Sequence, residues 1–213
     1  MISVCVAAFN GEKYIEEQIL SVLRNLDSQD EIIISDDGSS DRTRRIVDDL
    51  AEKDRRIRII DGPRKGLIKN FENAIVHSKG DIIFLCDQDD VWKDNKVKTV
   101  LDIFGNTDCT LVMHDACIVD AYLRISGCSF FEFKKCKKGY WRNLIKNSYI
   151  GCCMAFKRSI LDYAIPFPDN IPMHDQWIGL LSERVGKVEF CNEQLLLYRR
   201  LSNNASEMTH LPL

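Results

Sequence analysis

Apolar positions in the first half of the chain alternate between two spacings. Residues 2–9 form a short, nearly continuous apolar run that stops at Asn10-Gly11, a turn signal. Beyond it, Tyr14, Ile15, Gln18, Ile19, Val22, Leu23 and Leu26 recur at the three- and four-residue steps of one helix face. The alternation then repeats. Residues 32–35, 57–60 and 82–86 are apolar runs of strand length, each followed by a helical stripe. The stripes are Ile46, Val47, Leu50 and Ala51, then Leu67, Phe71, Ala74 and Ile75, then Val97, Val100, Leu101 and Phe104. Ser40 or Asp41 is placed to cap the second helix, and Asp94 the fourth. Continuous apolar strands separated by amphipathic helices predict an α/β fold, with a mostly parallel central sheet flanked by helices. Ligands of such sheets bind at the carboxyl ends of the strands, which is where chemistry is to be sought.

The second half is less regular. After a strand at 111–117, residues 130–146 mix aromatics with lysines, 166–172 read as a loop and 176–185 as a helix. Short strands are expected at 188–191 and 195–199. With no internal repeat and no linker, the pattern predicts one domain over residues 1–213, made of a regular half (1–117) and a smaller half (118–213).

Composition narrows the function classes. The balance of 45% hydrophobic and 29% charged residues is that of a soluble globular protein. The net charge of −3 provides no positive field to attract nucleic acid, so no nucleic-acid partner is expected. Nine cysteines occur without a Cys-x-x-Cys pair, and Cys5, Cys86 and Cys109 fall inside apolar runs, where a thiol serves as a small hydrophobe. The run at 2–9 is too short for a signal sequence, and no run approaches the length of a membrane span. These features predict a reduced, cytoplasmic protein without structural disulfides.

Three acidic clusters carry candidate chemistry. Asp36 and Asp37 follow the second run, in Ser35-Asp36-Asp37-Gly38-Ser39; adjacent carboxylates at a strand end can accept from ribose hydroxyls or a base N–H. Asp87, Asp89 and Asp90 follow the fourth run. Three carboxylates in four residues repel one another unless a proton or cation compensates, and hard ions such as Mg or Mn combine carboxylate oxygens with substrate phosphates. Asp175, in Met173-His174-Asp175-Gln176-Trp177, stands where a helix begins. It can cap that helix, or act as general base toward an acceptor hydroxyl.

These motifs resemble glycosyltransferase family 2, in particular its rhamnosyltransferase-like bacterial members. The resemblance runs from Ala7-Ala8-Phe9-Asn10-Gly11-Glu12-Lys13-Tyr14 through Asp36-Asp37-Gly38-Ser39 and Asp87-Gln88-Asp89-Asp90-Val91-Trp92. It continues through Gly151-Cys152-Cys153-Met154-Ala155-Phe156, His174-Asp175-Gln176-Trp177 and Tyr198-Arg199. It implies a GT-A fold and an inverting, metal-dependent transfer of a sugar from a nucleotide-diphosphate donor to a glycan or lipid-linked glycan acceptor, in bacterial surface polysaccharide synthesis. Residues 1–117 would bind the nucleotide sugar and 118–213 the acceptor. The implied nucleotide-binding residues are Ala7, Phe9, Asn10, Asp36, Asp37, Gly66, Asn70, Asp87 and Arg199. Asp89 and Asp87 would hold the divalent metal (Mn or Mg), Asp175 would be the base, and Gly151, His174 and Trp177 would meet the acceptor. Two departures stand out: Leu201 replaces a His expected near the phosphates, and similar proteins continue well beyond Leu213, which implies a missing C-terminal segment.

Between 134 and 146, Lys134, Lys135, Lys137, Lys138, Arg142 and Lys146 surround Tyr140 and Trp141, just after Phe130, Phe131 and Phe133. Such a segment is either a solvated loop or a contact with an anionic leaflet at the inner face of the plasma membrane or with a lipid-linked diphosphate. A nucleotidyltransferase and a Rossmann dehydrogenase are both disfavoured by the single-glycine turn at 10–13. With four histidines, a phosphohydrolase lacks ligands. A non-catalytic nucleotide-sugar-binding module is the alternative from another class.

Overall fold

A computed structural model of the chain describes residues 1–200. Its first half follows the alternation. Strands β1 (Ile2–Ala8), β2 (Glu31–Asp36), β3 (Ile57–Asp61) and β4 (Ile82–Asp87) are separated by helices α1 (Ile15–Leu23), α2 (Thr43–Ala51) and α3 (Leu67–Val76). All seven residues of β1 are buried, as a central strand covered on both faces requires. It pairs in parallel with β2 (Cys5 opposite Ile33) and with β4 (Cys5 opposite Leu85), while β3 closes the edge beyond β2. The chain thus leaves β1 in one direction to β2 and β3, then returns to its other side at β4. This reversal opens a crevice at the carboxyl ends of β1 and β4.

The rest of the chain comprises β5 (Val91–Trp92), α4 (Lys96–Asn106), β6 (Leu111–Val119), β7 (Ile125–Ser129), α5 (Phe130–Lys134) and α6 (Tyr140–Ile145). A 3-10 turn (Gly151–Cys153), β8 (Met154–Lys157), α7 (Leu161–Ala164), α8 (His174–Val185) and β9 (Val188–Arg199) follow. The sheet order is β3-β2-β1-β4-β8-β6-β9-β5, with β7 beside β6, and pairing beyond β4 becomes mixed. Strand β8 runs antiparallel to β4 and β6, β9 parallel to β6, and β5 antiparallel to β9. The strands expected at 188–191 and 195–199 are one strand, bent by register shifts against β6 between His114 and Cys117. That bend carries Tyr198 and Arg199 back beside β5, which follows the acidic motif directly.

Three local details differ from or refine the sequence reading. Asp41 does serve the start of α2, accepting the Thr43 N–H at 2.9 Å. Asp94 does not cap α4; it pairs with Arg24 (3.0 Å) on the surface, and the first turn of the helix is met instead by Asn25, which accepts the Val97 N–H at 3.3 Å. Residues 130–146 hold two short helices rather than one loop. The eight described cysteines in the core and its margins are free thiols. Among the described residues no helix is long and apolar enough to cross a membrane.

Candidate active site

A cleft of about 590 Å³ opens at the carboxyl ends of β1 and β4. Ala7, Ala8 and Phe9 form its floor, Asp87, Gln88 and Asp89 one wall, and Arg64, Gly66, Leu67 and Asn70 another. Ile150, Gly151, Met173, His174 and Asp175, all from the second half of the chain, complete the lining together with Tyr198. The crevice expected from strand order therefore gathers all three acidic clusters of the sequence.

Each wall is held by specific bonds. Gln88 makes a two-bond ring with Phe9, accepting its N–H and donating to its carbonyl, both at 2.9 Å, so the acidic loop is locked to the end of β1. Asp37 takes the backbone N–H groups of Arg64 (2.6 Å) and Gly66 (2.8 Å) on its two oxygens. It thereby folds 62–66 into a rim, and Gly66 at φ +84° takes a conformation that L side chains rarely adopt. Asn70 donates to the carbonyls of Ala8 (3.2 Å) and Ser35 (2.8 Å), tying α3 to β1 and β2.

The acids differ in their surroundings. Asp36 is buried, and its carboxylate accepts from the Ser39 hydroxyl and N–H within its own turn; it does not line the cleft. Burial, then the Asp89 and Asp175 charges, push Asp87 up to about 7. Burial also raises Asp89. Asp90 lies fully buried behind them, taking the Arg199 N–H on one oxygen at 2.9 Å. Its other oxygen has no hydrogen-bond partner, and one ligand atom from each of Asp87, Asp90 and Cys152 lies within 4.8 Å of the others. A carboxylate cluster with raised pKa values and an orphaned buried oxygen suits a hard divalent cation. Asp87 and Asp89 are the members that line the cleft and could hold one there. Lys96 beneath them donates to the Cys152 carbonyl (2.7 Å) and lies 3.9 Å from the Trp92 ring centre.

Asp175 occupies the second position of α8, after Met173, which flanks the helix without a capping side chain. Its carboxylate accepts from the backbone N–H groups of Gly151 (3.2 Å) and Gln176 and from Asn147 (3.4 Å). Burial nevertheless raises its pKa from 3.8 to about 6. His174 stacks on Phe71 (ring centres 4.1 Å apart), both its ring nitrogens lack partners, and burial holds it down at about 3. The imidazole is therefore neutral throughout the ordinary pH range.

Four expected residues sit outside the cleft lining. Besides Asp36, Asn10 accepts from the Ser40 N–H at 2.8 Å beside the mouth. Arg199 is buried, with its guanidinium donating to the carbonyls of Asp89 and Ala121 (2.7 Å each) and to Glu17 (2.6 Å). It braces the acidic loop from behind. Trp177 lines a separate cavity, its indole donating to the Ala164 carbonyl at 3.0 Å. Conversely Arg64, Leu67, Gln88, Met173 and Tyr198 line the cleft without having been singled out; Arg64, two residues before Gly66 in a Pro-Arg-Lys-Gly turn, offered the clearest signal. Leu201 lies outside the described residues.

A parallel half-sheet bearing an acid-lined cleft at its switch point, continued by a mixed half that folds back over it, is the GT-A architecture of nucleotide-sugar transferases. The family model "Glycosyl transferase family 2" matches residues 3–164, and the chain belongs to that family. It is 27% identical over 207 residues to an uncharacterized glycosyltransferase of Nostoc sp., covering 93% of this chain and 64% of the relative. It is 25% identical over 189 residues to an Escherichia coli UDP-Glc:alpha-D-GlcNAc-diphosphoundecaprenol beta-1,3-glucosyltransferase, covering 86% and 70%. Among solved structures, Staphylococcus aureus TarS in complex with UDP-GlcNAc superposes with a TM-score of 0.78 at 18% identity, over 97% of this chain and 61% of that one. A mannosyltransferase of Pyrobaculum calidifontis in complex with GDP-Man and Mn2+ gives 0.69 at 17%, over 95% and 57%. The chain thus spans less than two thirds of the Nostoc relative and of both solved chains.

Proposed function

We propose that this chain transfers a sugar from a nucleoside-diphosphate donor to a hydroxyl of a glycan or lipid-linked glycan, by single displacement with inversion. The observation that carries this reading is that Asp175, a buried carboxylate raised to about 6, lines the same cleft as Asp87 and Asp89. Its pKa suits a base that is ionised at neutral pH and still basic enough to take a hydroxyl proton. The acceptor proton passes to Asp175 as the acceptor oxygen bonds to the anomeric carbon. The bond from that carbon to the diphosphate breaks, and its electron pair leaves with the nucleoside diphosphate. Held by Asp87 and Asp89, a Mn or Mg ion would stabilise charge gathering on the leaving diphosphate.

Residues 1–117 serve the donor in this reading. The rim that Asp37 organises, with Arg64 and Asn70, meets the nucleotide. Residues 118–213 serve the acceptor: the neutral His174 ring, buried against Phe71, backs the wall on which Gly151 and Asp175 meet the acceptor, and Gly151 leaves room there because it has no side chain. A Cβ at Gly151 would stand 2.8 Å from the His174 Nε2. The donors named for TarS and the Pyrobaculum enzyme, and the lipid-linked acceptor named for the E. coli relative, support these classes. Work at the inner face of the plasma membrane, in surface polysaccharide synthesis, follows from such an acceptor. Calorimetric titration with UDP, dTDP and GDP, with and without Mn, tests the donor half. Metal-dependent binding of one nucleotide that is lost in Asp89→Ala is expected; absence of binding under every condition would overturn the assignment.

A further inference from the structure

Helix α6 is six residues long yet presents three large apolar side chains to water. Trp141 is 76% exposed, Leu144 48% and Ile145 90%. They stand at positions i, i+3 and i+4, so they share one helix face. The opposite side is anchored: buried Asn143 donates to the carbonyls of Lys137 (3.0 Å) and Gly139 (3.1 Å) and to Glu183 (3.1 Å). The outward face is therefore fixed rather than free to turn inward. Phe130 is buried and Phe131 and Phe133 pack against the core, so the apolar part of the 130–146 segment comes from α6 alone.

Around this face the charge is positive. Lys138 pairs with Glu189 (2.6 Å), and Arg142 donates to Ser148 and to the Lys135 carbonyl. Lys135, Lys137 and Lys146 are exposed and make no ion pair among the described residues. Of the nearby acids, Glu183 is taken up by Tyr149, Gly139 and Asn143, and Glu132 on α5 is exposed. Beside this face opens a second cavity, about 300 Å³ in volume, which Leu144 lines together with Tyr140, Ile171, Pro172, Trp177 and Leu180. An indole and two aliphatic side chains framed by unpaired lysines match an anionic bilayer surface: apolar tips at the acyl boundary, ammonium groups among the phosphates.

We infer that α6 and its flanking lysines form a docking face for anionic membrane, separate from the catalytic cleft. The contact needs no donor, metal or acceptor, so its failure would leave the transfer reading standing. The test is sedimentation of the chain with vesicles of phosphatidylcholine alone and with phosphatidylglycerol added, at low and high salt. Salt-sensitive binding to the anionic vesicles only is expected, with the tryptophan emission quenched by brominated acyl chains. Each lysine near such a surface is worth roughly a fivefold change in partitioning, so Lys135→Gln, Lys137→Gln and Lys146→Gln together should weaken binding about a hundredfold. Trp141→Ser with Ile145→Ser should abolish both binding and quenching while leaving the melting temperature unchanged, since both side chains already face water. Absence of binding at low salt would overturn the inference. So would binding that survives high salt, or binding that persists in the Trp141→Ser, Ile145→Ser variant.

Discussion

Replacing Asp175 by Asn separates a catalytic role from a structural one, because the two predict opposite changes in stability. The carboxylate is 8% exposed, and burial lifts its pKa from 3.8 to about 6. Holding the ionised form in the fold at neutral pH therefore costs roughly 3 kcal/mol. The folded pKa lies above the unfolded one, so this group's contribution to stability is intact below about pH 4 and is lost as pH rises through about 6. Asparagine removes the charge but offers one acceptor where the carboxylate has two. Either the Gly151 or the Gln176 N–H then loses its partner, at about 1–2 kcal/mol. The net expectation is a gain of roughly 1–2 kcal/mol at pH 8, or a melting temperature a few degrees higher for a chain of this size, crossing zero on acidification and becoming a loss of roughly 1 kcal/mol near pH 4, where only the lost hydrogen bond remains. Transfer, followed as acceptor-dependent release of nucleoside diphosphate, should fall about a hundredfold to ten-thousandfold. In the unaltered chain the rate should climb with pH through an apparent pKa near 6. An Asp175→Asn protein that melts several degrees lower and keeps its transfer rate would show that the carboxylate is a helix-terminal support, and would refute the argument.

Three further outcomes follow from the geometry. Asp37→Ala frees the backbone N–H groups of Arg64 and Gly66, so nucleotide affinity should drop about tenfold or more with little change in melting, as read by calorimetry. Gly179→Ala places a methyl 2.4 Å from the Tyr149 ring, and thermal unfolding should show a loss of about 1–3 kcal/mol or more. Gly151→Ala drives its methyl toward His174, so kcat should fall while nucleotide binding, measured separately, stays intact.

The parallel half was legible because buried strands must be continuously apolar and their covering helices amphipathic, and both patterns stand in the sequence. The acidic cleft followed from the rule that ligands sit at strand ends. Other expected residues lie outside the cleft lining for reasons of local geometry. Trp177 follows Asp175 by two positions, about 200° around a helix, so a cleft-facing Asp175 turns Trp177 away. Asp36 and Asp37 are neighbours at a strand end, where successive side chains point to opposite sides, and only Asp37 reaches the cleft. Arg199, expected among the nucleotide-binding residues, is buried behind the acidic loop by the bend of β9; that bend comes from register shifts with no local signal. The aromatics of 130–146 divided into buried Phe130, half-buried Phe131 and Phe133, and exposed Trp141, a distinction that periodicity over so short a stretch does not make.

Sugar transfer in this cleft is open to one direct measurement. The direct measurement is incubation of the chain with Mn, a panel of UDP-, dTDP- and GDP-sugars and a lipid-diphosphate-linked GlcNAc acceptor, with product followed by mass and by the NMR coupling at the new anomeric carbon. One donor class should give a product of opposite anomeric configuration, with nucleoside diphosphate released in equal amount and turnover lost in Asp89→Ala and Asp175→Asn. Nucleotide binding without transfer from any donor, or a product that retains the donor's configuration, would contradict it.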